Sequence, residues 1–258
     1  MSESPTIFDP RRRALARDRA AASREARHDA ADTPLDLLGV IGDELLDRLS
    51  DHRLTVERAL VIGAIDERPA ATLRASGAAV DVIEPSAWLA SRRGAAAQPE
   101  AALEVEPGSY DLLLWPGGLE SVDDVPGALL RARFALRPGG LLLGACFGEA
   151  SLPTLRSALA GAEQGARAAR MHPQLSIATL AELLPKVGLE ACVIDLDRYP
   201  LPPASLAQRA RQLRAAALGN MLREVHPLSR SAMCALDSVV TTQPERINII
   251  HFCAFAPG

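Results

Sequence analysis

The sequence has almost no lysine and few aromatic residues. It contains 28 lysine and arginine residues together, of which only Lys186 is a lysine, a bias that we attribute to genome composition. Phe, Trp and Tyr make up 3% of the 258 residues, so aliphatic side chains must fill most of the core. Few aromatic residues and a net charge of −4 argue against a surface that stacks bases and binds phosphate backbones. The sequence therefore predicts a protein that does not bind nucleic acid.

Paired cysteines and long apolar runs are also absent. None of the four cysteines forms a C-x-x-C pair, which is typical of reduced thiols in a cytoplasmic protein. No run reaches the roughly 18 apolar residues that suggest a transmembrane helix. The N-terminal region lacks the apolar core of a signal peptide. These absences predict a cytoplasmic location.

The N-terminal region is basic and rich in alanine. Residues 5–29 are predicted to form a helical arm, which is either a solvated helix or an element that binds a protein partner or a membrane surface. Residues 35–49 place leucines and isoleucines on one face, which predicts an amphipathic helix packed on the body. The expected division is an arm and packing helix over 1–50, followed by an α/β domain over 51–258 with a helical insertion around 204–240.

From residue 58 onward, apolar runs alternate with helical patterns. Continuous apolar strands separated by helices indicate a mostly parallel sheet covered on both faces. The stretch 101–109 is predicted as a short strand and loop, and 94–100 as a loop. The principal predicted strands are 58–63, 78–86, 110–117, 137–148, 189–201 and 246–257.

The order of these elements resembles the class I S-adenosylmethionine-dependent methyltransferases. The resemblance covers about residues 58–257 and is carried by the turn "ALRPGGLLL" (135–143) and by the unit "SYDLLLWPGGLESVDDVPGALLRARFALRPGG" (109–140). It implies a Rossmann-like fold of seven strands, mostly parallel with an antiparallel last strand. It also implies S-adenosylmethionine as cofactor.

A narrower resemblance covers nearly the whole chain. The segments 7–21, 172–190 and 213–230 resemble the subgroup that contains the mitochondrial complex I assembly factor described as an arginine hydroxylase, with its alphaproteobacterial relatives. The malonyl-carrier-protein methyltransferase of biotin synthesis is a more distant relative. This resemblance implies three alternatives: a methyltransferase of unknown acceptor, a non-catalytic assembly factor or scaffold, and an arginine hydroxylase-like enzyme.

The expected cofactor loop departs from the family pattern. The family's Asp-x-Gly-x-Gly-x-Gly positions fall on Val61, Gly63, Ile65 and Glu67. Glycine lets backbone approach a ligand closely. Of the family's glycine positions, only Gly63 is still a glycine, so we expect Gly63 to contact the methionine part of the cofactor. Ile65 and Glu67 are expected to crowd or repel that part.

Two further residues are implied as cofactor contacts. Glu84 ends the second predicted strand, where the family carries an acidic residue that binds the ribose hydroxyls; otherwise it is an ordinary strand-terminal carboxylate. Trp115 ends the fourth strand and either stacks on the adenine or packs in the core. The subgroup's Leu-His-Trp after that strand is replaced by 119–121, "LES", so no catalytic residue is assigned.

No other catalytic pattern competes with this interpretation. The sequence has no G-x-S-x-G, P-loop or H-E-x-x-H motif. His172, His226 and His251 lie far apart in the sequence. Their spacing gives no support for a metal site, and none is predicted.

Overall fold

Seven strands form one mixed sheet in the computed structural model, which describes residues 6–26, 36–161, 171, 173–225 and 227–258. The strand order is β3-β2-β1-β4-β5-β7-β6. All neighbours pair in parallel except β7, which is antiparallel to β5 and β6. The strands are β1 Arg58–Ile62, β2 Ala79–Glu84, β3 Ala96–Ala97, β4 Tyr110–Pro116, β5 Leu136–Phe147, β6 Glu190–Leu201 and β7 Glu245–Phe255.

Helices cover both faces of the sheet, because the central strands are apolar on both sides. One face carries α5 and α7, and the other carries α2, α3, α6 and α9. Together with the antiparallel β7, this arrangement confirms the predicted fold class. The helices are α1 Pro10–Glu25, α2 Leu37–Ser50, α3 Arg68–Ala75, α4 Ala87–Arg93, α5 Val125–Ala135, α6 Pro153–Gly161, α7 Ile177–Lys186, α8 Leu206–Ala215 and α9 Arg230–Val240.

The start of α1 is fixed to the body by capping and by backbone contacts. Asp9 is its N-cap and accepts a hydrogen bond from the N–H of Arg11 at 2.8 Å. Phe8 is buried and forms a single β-bridge with Leu222, and the Asp123 carboxylate accepts its N–H at 3.1 Å. The predicted arm is therefore a docked helix whose entry point is set by contacts with distant parts of the chain.

Two local predictions were wrong. The third strand is the two-residue β3, inside the stretch 94–100 that was predicted as a loop. The stretch 101–109, predicted as a strand and loop, instead holds the end of a short 3-10 turn over Glu100–Ala102 and irregular backbone. The first error concerns an alanine-rich segment at the sheet edge, where pairing with β2 decides the structure and intrinsic preference does not. The helices α8 and α9 fall within the range 204–240 predicted as an insertion.

None of the helices in the described part of the chain is long and apolar enough to cross a membrane.

Candidate cofactor site

The carboxyl ends of β1, β2 and β4 form a crevice at the point where the chain order reverses. β1 lies between β2 on one side and β4 on the other, and ligands of open α/β sheets bind at such a point. Gly63 and Glu84 both border it, with Gly118 on the side of β4. The N–H of Gly63 donates to the carbonyl of Ile83 at 2.8 Å, which joins the ends of β1 and β2. We call this crevice the cofactor cleft.

Glu84 is fully buried in the cleft and is bound on both oxygens. The Arg17 guanidinium donates from Nε to Oε1 at 2.5 Å and from Nη2 to Oε2 at 2.8 Å. Oε2 also accepts the N–H of Ala64 at 2.7 Å, and Oε1 accepts the N–H of Ser86 at 3.0 Å. Burial alone would raise the pKa of Glu84, but the Arg17 charge and these hydrogen bonds outweigh burial and lower it.

A second buried ion pair lies beside the first. Arg13 donates through Nη1 and Nη2 to the two Glu100 oxygens at 2.6 Å each. Its Nε donates to Ser121 Oγ at 2.8 Å, and Nη2 also donates to the carbonyl of Gly118 at 3.1 Å. The arginine therefore links α1 to the segments that follow β3 and β4.

Both arginines reach the cleft because they lie four residues apart on one face of α1. Ala20 and Ala21 are fully buried on the same helix, and their small side chains let α1 approach the body closely. Sequence analysis missed Arg13 and Arg17 as site residues. The helical spacing was a visible signal, but Glu84 lies 67 positions beyond Arg17, so the pairing depends on the tertiary fold.

The degenerate loop is adapted to α1. Gly63 has φ of +105°, and a Cβ there would lie 2.8 Å from Nη2 of Arg17, so Arg17 occupies the space above the glycine. Ile65 is buried in a small apolar cluster with α1 and α2. Glu67 was expected to repel a ligand, but its half-exposed carboxylate turns outward to Arg93, with Nη1 to Oε2 at 2.5 Å. Glu67 does not border the cavity of the cleft, and its effect on a ligand stays a prediction.

Trp115 does not border the cleft. Its side chain is completely buried in the apolar core, in the cluster that also contains Ile62, Leu119 and Leu129. Successive strand residues point to opposite faces, and this position faces α5. The structure therefore favours packing over adenine stacking for Trp115.

Little space remains in the cleft. Its cavity measures about 20 Å³ and is bordered by Arg13, Arg17, Ile65 and Gly118, which is room for about one water molecule. An apolar cavity of about 140 Å³ lies beyond Phe147, which borders both spaces. With α1 docked, the residues present do not fit S-adenosylmethionine, since Arg17 holds both oxygens of Glu84 and the guanidiniums fill the crevice.

The predicted absence of a metal site rested on sequence spacing. His172 and His226 lie outside the described residues, but His251 lies on β7 beside carboxylates from β6 and α2. Neighbouring strands bring together residues that are far apart in sequence, so the spacing argument does not apply to His251.

Comparison with known protein families shows the family to which the chain belongs. A family model described as "Methyltransferase domain" matches residues 24–193, which is more than half of the chain. The chain belongs to this methyltransferase family. Membership places it among proteins built on the S-adenosylmethionine-dependent fold, and it confirms the resemblance noted from the sequence.

Two curated relatives of the chain have different named activities. The chain is 29% identical over 164 residues to a malonyl-[acyl-carrier protein] O-methyltransferase from Xylella fastidiosa, a match that covers 60% of this chain and 55% of that protein. It is 27% identical over 124 residues to the mitochondrial arginine-hydroxylase NDUFAF5 from Danio rerio, covering 47% and 39%. The matches thus span about half or less of these relatives.

A solved structure agrees with the fold. A Bacillus halodurans protein described as a candidate methyltransferase superposes with a TM-score of 0.56 at 10% identity, covering 84% of this chain and 100% of that one. At this identity the likeness concerns the fold alone.

Proposed function

We propose that this methyltransferase-family protein is non-catalytic while α1 is docked, and that it acts as a scaffold or assembly factor. The bidentate pairing of Arg17 with Glu84 carries the proposal. A carboxylate that accepts four hydrogen bonds, two on each oxygen, has no acceptor capacity left for ribose hydroxyls.

The loop supports the same interpretation. The residues at the former glycine positions have gained other roles, since Ile65 packs beneath α1 and Glu67 pairs with Arg93. These contacts hold the loop against α1 and α4 while α1 is docked.

The outward face of α1 is the proposed partner-binding surface. With Arg13 and Arg17 turned inward, Arg11, Arg12 and Arg19 remain exposed, and Leu15 is 45% exposed among them. A basic face with an apolar centre suits an anionic protein surface or membrane. Sedimentation with phosphatidylglycerol vesicles, compared with phosphatidylcholine vesicles, separates these two kinds of partner.

The second candidate function is methyl transfer from S-adenosylmethionine, in a state in which α1 is displaced and the cofactor is bound. Glu84 stands at the position expected for ribose recognition, and the 140 Å³ cavity beyond Phe147 offers apolar space for a methyl acceptor. In that state the protein would be an S-adenosylmethionine-dependent methyltransferase whose arm controls access.

Calorimetric titration with S-adenosylmethionine and S-adenosylhomocysteine tests both candidates. The wild type is expected to show no binding at millimolar ligand. Arg13→Ala/Arg17→Ala opens the cleft, and Arg11→Ala, which changes an exposed arginine of the same helix, is the matched control.

Each result has a definite meaning. Binding by the double variant alone would support an arm that closes a competent cleft, and no binding by either would support the scaffold. Micromolar binding by the wild type that Glu84→Ala abolishes would overturn the non-catalytic proposal.

A further inference from the structure

A histidine and two carboxylates meet between α2 and the outer strands β6 and β7. Glu44 comes from α2, Asp197 from β6 and His251 from β7, and one donor atom of each lies within 4.8 Å of the others. Asp197 pairs across the sheet with Ile249, so it is diagonal to His251 on the same face. We call these three residues the His251 cluster. None of them borders the cofactor cleft.

The cluster contains polar atoms that lack hydrogen-bond partners. The His251 side chain is 1% exposed, yet neither ring nitrogen has a hydrogen bond to a protein group. Oε2 of Glu44 is also buried without one. Buried polar groups in proteins are nearly always satisfied, and exceptions often mark the place of a water molecule or an ion. This cluster is therefore incomplete as it stands.

The donor-atom distances fit a shared metal ion. Nε2 of His251 lies 2.9 Å from Oε2 of Glu44 and 3.3 Å from Oδ2 of Asp197. The shorter contact is a good distance for a hydrogen bond, but the geometry does not qualify as one. Donor atoms bound to one zinc ion at about 2.0–2.2 Å are roughly 3–3.5 Å apart. The observed separations are close to this range.

Neighbouring side chains hold the two carboxylates in place. The hydroxyl of Tyr199 donates to Oε1 of Glu44, which leaves Oε2 directed toward His251. Arg48 donates to Oδ2 of Asp197 at 3.1 Å. Carboxylates that ligate metals are themselves commonly hydrogen-bonded in this way, which fixes their orientation.

The charges and exposure of the cluster also favour a cation. The Glu44 and Asp197 carboxylates outnumber the one guanidinium beside them, that of Arg48, so the cluster attracts a cation. The neutral imidazole is the form that binds metals. The Glu44 and Asp197 side chains are 28% and 41% exposed, so an ion can enter from solvent.

We propose that Glu44, Asp197 and His251 bind a divalent transition-metal ion of the zinc type, with water completing its coordination. Imidazole ligands favour zinc and its first-row neighbours over Mg²⁺ and Ca²⁺, which prefer oxygen ligands alone. Three protein ligands with an open position are typical of metal sites that can bind a further small molecule. The proposal is independent of the cofactor cleft, because its measurements concern metal binding alone.

Zinc titration of the chelator-treated full chain tests this proposal. We expect the wild type to bind one equivalent of Zn²⁺ in calorimetry and to show visible absorption bands with Co²⁺. Glu44→Gln and His251→Gln each remove one ligand with little change in shape. Each should weaken zinc binding on the order of 100-fold or more. Substituting residues that only hydrogen-bond to the ligands already lowers metal affinity about 10–100-fold.

Two further variants keep the test decisive. Asp197→Asn changes a half-exposed ligand and should fold even if His251→Gln does not, so its loss of zinc binding stands alone. Asp195→Asn is the matched control, because Asp195 lies on the same strand at 3.9 Å from Nε of Arg48 and is not a proposed ligand. It should bind zinc like the wild type.

The overturning results are equally specific. Wild type that binds neither Zn²⁺ nor Co²⁺, or equal affinity in all ligand variants, would overturn the proposal and leave His251 as a histidine bridged between carboxylates. His52 and Cys253 also lie close together, with Nε2 and Sγ 3.6 Å apart. Binding lost in Cys253→Ser but retained in Glu44→Gln would assign the ion to that pair and would likewise overturn the proposal.

Discussion

The cofactor cleft and the His251 cluster differ in how completely their polar atoms are hydrogen-bonded. In the cofactor cleft, the Glu84 carboxylate accepts four hydrogen bonds and faces a guanidinium. In the His251 cluster, a buried imidazole and one oxygen of Glu44 have no hydrogen-bond partner. A satisfied network makes a site rigid and leaves nothing for a ligand to bind, whereas an unsatisfied one is costly until something completes it. The cofactor cleft, where the sequence predicted a ligand, is therefore closed. The site with free capacity for a ligand is the His251 cluster.

Breaking the ion pair between Arg17 and Glu84 should have the largest effect on the free energy of unfolding. Arg17→Met keeps an unbranched side chain but leaves the buried Glu84 charge without its partner, which typically costs about 3–5 kcal/mol. Release of α1 limits this loss, because water can then reach the carboxylate. Urea unfolding measures the change in stability, and hydrogen exchange shows whether α1 opens separately.

The control for this change is Arg11→Met on the exposed face of α1. It should alter the free energy of unfolding by no more than about 0.5 kcal/mol. Equal effects of the two substitutions would show that the buried ion pair does not hold the helix in place.

The next prediction measures how much the position of Arg17 in the cofactor cleft contributes to stability. Gly63→Ala introduces a Cβ at φ of +105° and 2.8 Å from Nη2 of Arg17. Gly77→Ala introduces one at φ of +95° with no atom within 4 Å, so it measures backbone strain alone, about 1–3 kcal/mol. Gly63→Ala should cost about 1 kcal/mol more because it displaces Arg17. Thermal unfolding of both variants checks the difference, and equal losses would mean that Arg17 moves aside freely.

A smaller effect is expected at the His251 cluster. Tyr199→Phe removes the hydroxyl that positions Glu44 while keeping the ring, so zinc affinity should fall about tenfold. Competition with a chromogenic chelator measures this. Unchanged affinity would show that Glu44 is held by its helix and needs no support from Tyr199.

Lowering the pH should produce the smallest of these effects, a partial loss of the stability that Glu84 contributes. The pKa of Glu84 is lower in the folded protein than its ordinary value of 4.5, so the unfolded chain binds more protons between the two values. Stability from Glu84 is therefore fully present above pH 4.5 and is lost as the pH falls through the folded pKa. Urea titrations over this range should show a weaker acid loss in Arg17→Met than in the wild type. Parallel profiles would assign the loss to other carboxylates.

The fold could be predicted from sequence because its signals are local and repeated. Apolar runs such as β4 and β5, separated by turns and helices, are sufficient to indicate a parallel sheet, and Gly63 and Glu84 were placed correctly at its carboxyl edge. What occupies that edge depends on a contact between residues 17 and 84, which no local pattern specifies. The same holds for the His251 cluster, whose members come from three elements, and for β3, whose two residues are defined by their neighbour.

The ion pairs between α1 and the cleft also set an order of events during synthesis. Glu84 follows Arg17 by 67 residues, and Glu100 follows Arg13 by 87. At a translation rate of about 5–20 residues per second, the ribosome needs roughly 3 to 17 s to deliver the acids after the arginines. Throughout that interval Arg13 and Arg17 lack the acidic partners with which they pair in the folded protein. The arginines of α1 are therefore synthesised before the cleft that binds them exists.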